Sequence, residues 1–168
     1  MISIADAQKV IARSKTLVAP MAWTKKLNHS DPVWYEYRSA LEYDDDPTET
    51  PEGVMVVCQW KRKEGVKPET WNFGLFFSGD RIYGIDANAL QKHKNKVGVG
   101  RPYYRRTIDG IHEHTWSEEG YGYAQSFDLV PVDGSGVWKA FVAGAGIADP
   151  GFVHPDKAIN DGQQELGL

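Results

Sequence analysis

Two histidines one residue apart, His112 and His114 in TIDGIHEHTWSEEGYGYA, have a spacing that can do chemistry. On a strand, side chains at i and i+2 share a face and lie about 6.6 Å apart, given ~3.3 Å of rise per residue. That permits two uses. Both imidazoles can bind one metal ion through converging nitrogens if a third and fourth ligand join them. His29, His93, His154 and Glu118 are the candidates, none at a diagnostic spacing. Alternatively, one imidazole acts as general base and the other as general acid across a phosphate. An unperturbed pKa of ~6.5 leaves both forms populated near neutrality.

The choice rests on what the neighbouring turn brings alongside. Asp109-Gly110 precedes the pair, and Asp-Gly between alternating residues is a strong signal for a two-residue hairpin loop. A type I′ turn there sets Thr107 opposite His112, Arg106 opposite Glu113, Arg105 opposite His114 and Tyr103 opposite Trp116. One face of that ribbon gathers Tyr103, Arg105, Thr107, His112, His114 and Trp116, and the other, with Tyr104, Ile108, Ile111 and Thr115, faces the core. A guanidinium opposite His114 repels a metal cation but grips a phosphate. The expectation is therefore a phosphate site that works without metal or cofactor. His112 and His114 exchange protons, Arg105 holds the phosphate, Tyr103 or Trp116 stacks a base, and Arg101 and Arg106 add cationic contacts. A solvent-facing or helix-covered strand without any chemistry has the same residue types, and a one-residue slip of register would scatter the group.

Charge is unevenly spread around this site. The net charge of −4 gives no overall grip on nucleic acid, yet Gln91 to Arg106 holds six bases and no acid, while Glu42 to Glu52 holds six acids and no base. Such segregation suits either a local phosphate site, for RNA or another phosphate-bearing ligand, or an acidic loop that mimics nucleic acid for a cognate protein partner. Two solvated loops of opposite sign are the plainer reading. Weaker signals are VGVGRP, whose glycines let backbone amides approach an anion, and RPYYRR, which interleaves bases with tyrosines. Cys58, the single cysteine, lies in the most apolar segment and reads as core; with no disulfide, no signal segment and no apolar run near ~20 residues, the expected location is cytoplasmic and off the membrane.

The elements that must position these residues follow from periodicity. Ser3 and Asp6 form a capping-box start, and Ile4, Ala7 and Ile11 share a helical face, so residues 3–18 read as a helix stopped by Pro20. The period then changes to 2. VWYEYRSALE, VMVVCQWK, WNFGLFF and RIYGID read as strands, the last two joined by a Ser-Gly-Asp turn. Residues 87–100 show no period and read as a loop. RPYYRRTI, IHEHTW and YAQSFDLVPV complete the strands, and Ser135 caps a helix carrying Val137, Trp138, Phe141 and Val142. The fold expected is α+β: a twisted antiparallel sheet of five to seven strands with an N-terminal helix and a short C-terminal helix. One domain is expected over residues 1–148, followed by an extended or partly disordered tail over residues 149–168.

The order RIYGID, a basic stretch, YRRTIDGIHEHTW, EGYGYA and the terminal segment GVWKAFVAGAGI resembles small proteins of the TumE-like toxin type and their mobile-element relatives. The resemblance covers roughly residues 70–147. It implies a toxin–antitoxin or phage-linked protein with an RNA-directed, ribonuclease-like activity, carried by Arg105, Arg106, His112 and His114.

Overall fold

The computed structural model describes residues 2–26, 33–49 and 51–157. Its first element, α1 (Ile4–Ala12), starts on the expected capping box: Ser3 Oγ accepts from the Asp6 amide while the Asp6 carboxylate accepts from the Ser3 amide. The helix is shorter than the expected 3–18. Lys15 is fully buried and its ammonium donates to the carbonyls of Val10, Ile11 and Arg13, so it caps the C-terminal carbonyls that another turn would have used. The next three residues pair as a strand.

Ten strands follow: β1 (Lys15–Leu17), β2 (Thr24–Lys25), β3 (Trp34–Tyr43), β4 (Val54–Lys61), β5 (Thr70–Phe77), β6 (Asp80–Ala87), β7 (Lys92–Lys94), β8 (Thr107–Asp109), β9 (His112–Ser117) and β10 (Gly120–Ser126); α2 (Gly134–Ala145) closes the order. Eight of them make one antiparallel sheet in the order β1-β3-β4-β5-β6-β9-β10, with β2 also on β3; β7 and β8 form a separate two-stranded ribbon. The α+β class with a helix near each end is as expected, and the sheet is larger. The added strands are short pieces, β1 and β2, which periodicity over a few residues cannot reveal.

One face of the sheet carries the core. Phe73 and Tyr83 project from β5 and β6 onto α2, with ring centroids 5.9 Å and 6.1 Å from Phe141. Trp138, Val142 and Ala145 of α2 and Ala7 and Val10 of α1 join the same cluster. Asp133, not Ser135, caps α2, its carboxylate accepting from the Gly136 amide at 2.8 Å. The segment after Asp149 packs against this body: Phe152 stacks edge-on to Trp71, and Trp23 Nε1 donates to the Val153 carbonyl. Residues 158–168 of the expected tail lie outside the described residues, as does His29. Among the described residues no helix is long and apolar enough to cross a membrane.

Two tight-turn signals had opposite outcomes. Ser78-Gly79 joins β5 to β6 with positive φ at both residues (50° and 88°), the requirement of a type I′ turn. Asp109-Gly110 does not form the expected hairpin. Only Gly110 has positive φ there, and Thr107–Asp109 pairs with Lys92–Lys94 rather than with the histidine strand. The segment 87–100, expected as loop, supplies that partner strand.

Candidate metal centre

β9 is an inner strand of the main sheet, between β6 and β10. Since Phe73 and Tyr83 carry the helix-facing side, alternation sends His112 and His114 to the opposite face, together with Asp86 and Gly84, their partners on β6. The β7–β8 ribbon covers this face. His93 pairs with Ile108 across the ribbon, so both side chains point the same way; Ile108 is buried, and His93 faces the sheet. Its ring centroid lies 5.3 Å from His112 and 4.8 Å from His114, which are 4.9 Å from each other. One nitrogen from each of the three rings lies within 4.8 Å of the others. His112 is 0% and His114 2% exposed, while His93 is half-buried, so the group meets solvent only on the His93 side.

Hydrogen bonds assign the tautomer of each ring. His112 Nδ1 is 2.7 Å from the Gly110 carbonyl and His93 Nε2 is 2.8 Å from the Gly122 carbonyl; a carbonyl only accepts, so these nitrogens carry the protons. His114 Nε2 lies 3.1 Å from Asp86 Oδ2 and donates to that carboxylate. The lone pairs therefore sit on His93 Nδ1, His112 Nε2 and His114 Nδ1. Two of these, His112 Nε2 and His114 Nδ1, are buried without a hydrogen-bond partner among the described residues. An unmatched buried acceptor costs about 1–3 kcal/mol, which a bound cation or a donor such as water would relieve. Burial pushes the pKa of both His112 and His114 down, which keeps the rings neutral and their lone pairs available.

Asp86 is held by a half-buried arginine. Arg81 Nη2 donates to Asp86 Oδ1 at 2.6 Å and to the Phe73 carbonyl at 2.7 Å. Burial alone would push the Asp86 carboxyl up, but Arg81 and His114 outweigh it and hold it well below the usual carboxylate range. The guanidinium fits because β5 and β6 carry glycine where it crosses them: a Cβ on Gly84 would sit 2.3 Å from Arg81 Nε, and one on Gly74 would sit 2.8 Å away. On the other side of the group, β10 has a bulge between Gly120 and Tyr123, with positive φ at Gly120 and Gly122 (99° and 113°). Tyr121 lies within that bulge and stacks on His114 at 5.5 Å and 21°, while the Gly122 carbonyl orients His93. Bulges commonly re-aim a side chain beside a site, and this one supplies two contacts to it.

The residues expected to work with the histidines go elsewhere. Arg105 is exposed on a turn, its guanidinium over the Tyr104 ring, and Arg106 is exposed beside it. Arg101 is a structural group: it donates to the Trp116 carbonyl and Thr115 Oγ1 and stacks on Tyr123 at 3.8 Å. The Tyr103 amide donates to the Tyr123 hydroxyl. Trp116 is buried in the main core, its Nε1 donating to the Ile2 carbonyl. His154, weighed as a ligand, instead packs on Trp60 and Trp71, and Glu118 is exposed on the β9–β10 turn. The reason is the ladder: β9 pairs with β6, so Asp86 and Arg81, not Arg105, face the imidazoles.

Asp86 and Arg81 went unrecognised as site residues. The available signals were the glycines inside WNFGLFF and RIYGID, which mark close approach of another group to a strand, and the alternation Lys-His-Lys in QKHKNK.

No protein-family model, no curated protein and no solved structure matches this chain.

Proposed function

We propose that this protein binds a divalent transition metal through His93, His112 and His114. The observation that carries the reading is the paired bonding of each ring: one nitrogen is fixed by an oxygen acceptor, and the other is left with a free lone pair. This is how metal-binding histidines are usually oriented, with a carbonyl or carboxylate on the far nitrogen. Asp86 would fill that outer role for His114, Gly110 for His112 and Gly122 for His93. All-nitrogen donors favour zinc, copper, nickel or cobalt over magnesium or calcium.

A tetrahedral ion with Zn–N bonds of about 2.0–2.1 Å needs its nitrogens roughly 3.4 Å apart. The ligand nitrogens, within 4.8 Å of one another, would close by up to about 1.4 Å, with His93 on its short ribbon as the part that moves. Three protein nitrogens leave such an ion one position for water or a ligand, reached from the half-buried His93 side.

Proton exchange across a phosphate has less support. That chemistry needs imidazoles open to a substrate and a guanidinium beside them, whereas both rings of the His-x-His pair are buried and Arg105 lies elsewhere.

Isothermal titration of metal-stripped protein with zinc tests the reading. One equivalent should bind, with affinity falling at least about 100-fold in His93→Ala and about 10–100-fold in Asp86→Asn. Unchanged affinity in His93→Ala and in His112→Ala/His114→Ala, with far-UV circular dichroism preserved, would reject it.

A further inference from the structure

The ribbon that supplies His93 has a second face, and its chemistry is unlike that of the first. Alternation along β7 turns His93 inward and Lys92 and Lys94 outward, where both are exposed. Lys96, Arg105 and Arg106 are exposed next to them. Among the described residues, the acidic partner found for this group is Asp109, 3.6 Å from Lys92. An acidic protein thus presents a compact cationic surface.

That surface is fixed in place. Asn95, 1% exposed between the outward Lys94 and Lys96, ties the segment to its surroundings with four bonds. Its amide nitrogen donates to the Arg106 carbonyl at 3.0 Å, and its Nδ2 donates to the Tyr103 and Ala124 carbonyls at 2.9 Å and 2.7 Å. Its Oδ1 accepts from the Ala124 amide at 2.7 Å. The bonds hold Lys94, Lys96, Arg105 and Arg106 together on the edge of β10. Arg105 also adopts φ +61°, a left-handed conformation uncommon for any residue with a Cβ, which marks a turn held by its surroundings. Cations on a rigid frame lose less freedom on binding than cations on a loop.

We infer that this outer face of the ribbon binds the phosphate backbone of a nucleic acid. The extended spacing of Lys92, Lys94 and Lys96, alternate residues on one run, suits a row of phosphates better than one compact anion. The half-buried Tyr103 and Tyr104 on the same turn offer ring surface to an unpaired base. The cations do not line the imidazole pocket, so the surface stands without a bound metal.

Fluorescence anisotropy of a labelled single-stranded RNA of about 15 nucleotides, with a duplex DNA of the same length in parallel, tests this. Binding should weaken with salt, each phosphate contact adding about 0.7 to the log–log slope for a single strand or 0.9 for a duplex. Lys94→Glu/Lys96→Glu/Arg105→Glu/Arg106→Glu should weaken binding at least 10-fold, while Lys9→Glu/Lys139→Glu, exposed on the two helices, should leave it unchanged, with or without EDTA. Binding by either nucleic acid with that pattern supports the proposal, and the tighter of the two identifies the form recognised. No binding by wild type at 100 μM, or equal binding by a correctly folded charge-reversed variant, overturns it. So does a poly-glutamate peptide binding as tightly as RNA at equal salt, or salt-sensitive self-association on sedimentation that the same reversal abolishes; these would assign the face to an acidic protein or to a second copy of the chain.

Discussion

At the level of single residues, the imidazole group is assembled by what is absent as much as by what is present. Gly84 has no Cβ, and that space holds the guanidinium that fixes Asp86, which in turn fixes His114. Gly84→Ala would place a methyl 2.3 Å from Arg81 Nε and 2.5 Å from the Phe73 carbonyl. The side chain can move but the carbonyl belongs to a paired strand, so relief is expensive. The substitution should destabilise the fold by about 2–4 kcal/mol in urea unfolding, where a well-packed site is overfilled. A loss under about 0.5 kcal/mol would contradict the packing described. His112 and His114 were visible in the sequence as a chemically unusual pair, and His93 as a possible third ligand. Arg81 and Asp86 were not, because an arginine crossing two strands to reach a carboxylate leaves no periodic trace.

Among the elements, the four strands from β3 to β6 were legible in their alternation or apolar runs. VMVVCQWK is buried along most of its length as β4, the central strand its composition suggested, and RIYGID is β6. The errors fell on short pieces, on register and on two over-long readings: RPYYRRTI, expected as a strand, is a turn up to Arg105, and YAQSFDLVPV pairs only as far as Ser126. Asp109-Gly110 carries the right residues for a hairpin, but a local turn preference is worth little against a central strand with a ladder on each side. β9 gains β6 and β10 as partners, and Thr107–Asp109 is left to pair with Lys92–Lys94. That single change of partner moves Arg105 away from the histidines and brings His93 to them. The β10 bulge belongs to the same scale: the glycines of EGYGYA were visible, but not that their conformation sets Tyr121 on His114.

For the molecule as a whole, the α+β class and the two helices followed from composition and period, while the functional reading depended on one strand pairing that no local pattern encodes. Part of the pH dependence of stability should come from Glu36 in the sheet, alongside Asp86, His112 and His114, which are also shifted down. Burial pushes Glu36 on β3 up, but hydrogen bonds from Arg38, Gln59 and Lys26 outweigh it and hold its carboxyl at about 2, against an ordinary 4.5. A carboxyl lowered on folding adds stability that is complete above about pH 4.5 and is lost as pH falls towards 2. With the exposed Arg38 screened by solvent, about 1–2 kcal/mol is at stake. Between pH 5 and pH 3 the wild-type melting temperature should fall further than that of Glu36→Gln; parallel falls would remove Glu36 from the account. The central claim is that three imidazoles meet at one ion. X-ray absorption fine structure of the zinc-loaded protein tests it most directly. It should show three imidazole nitrogens at about 2.0–2.1 Å and one further oxygen or nitrogen donor, with one imidazole fewer in His93→Ala; an all-oxygen shell, or a shell unchanged in His112→Ala/His114→Ala, would contradict it.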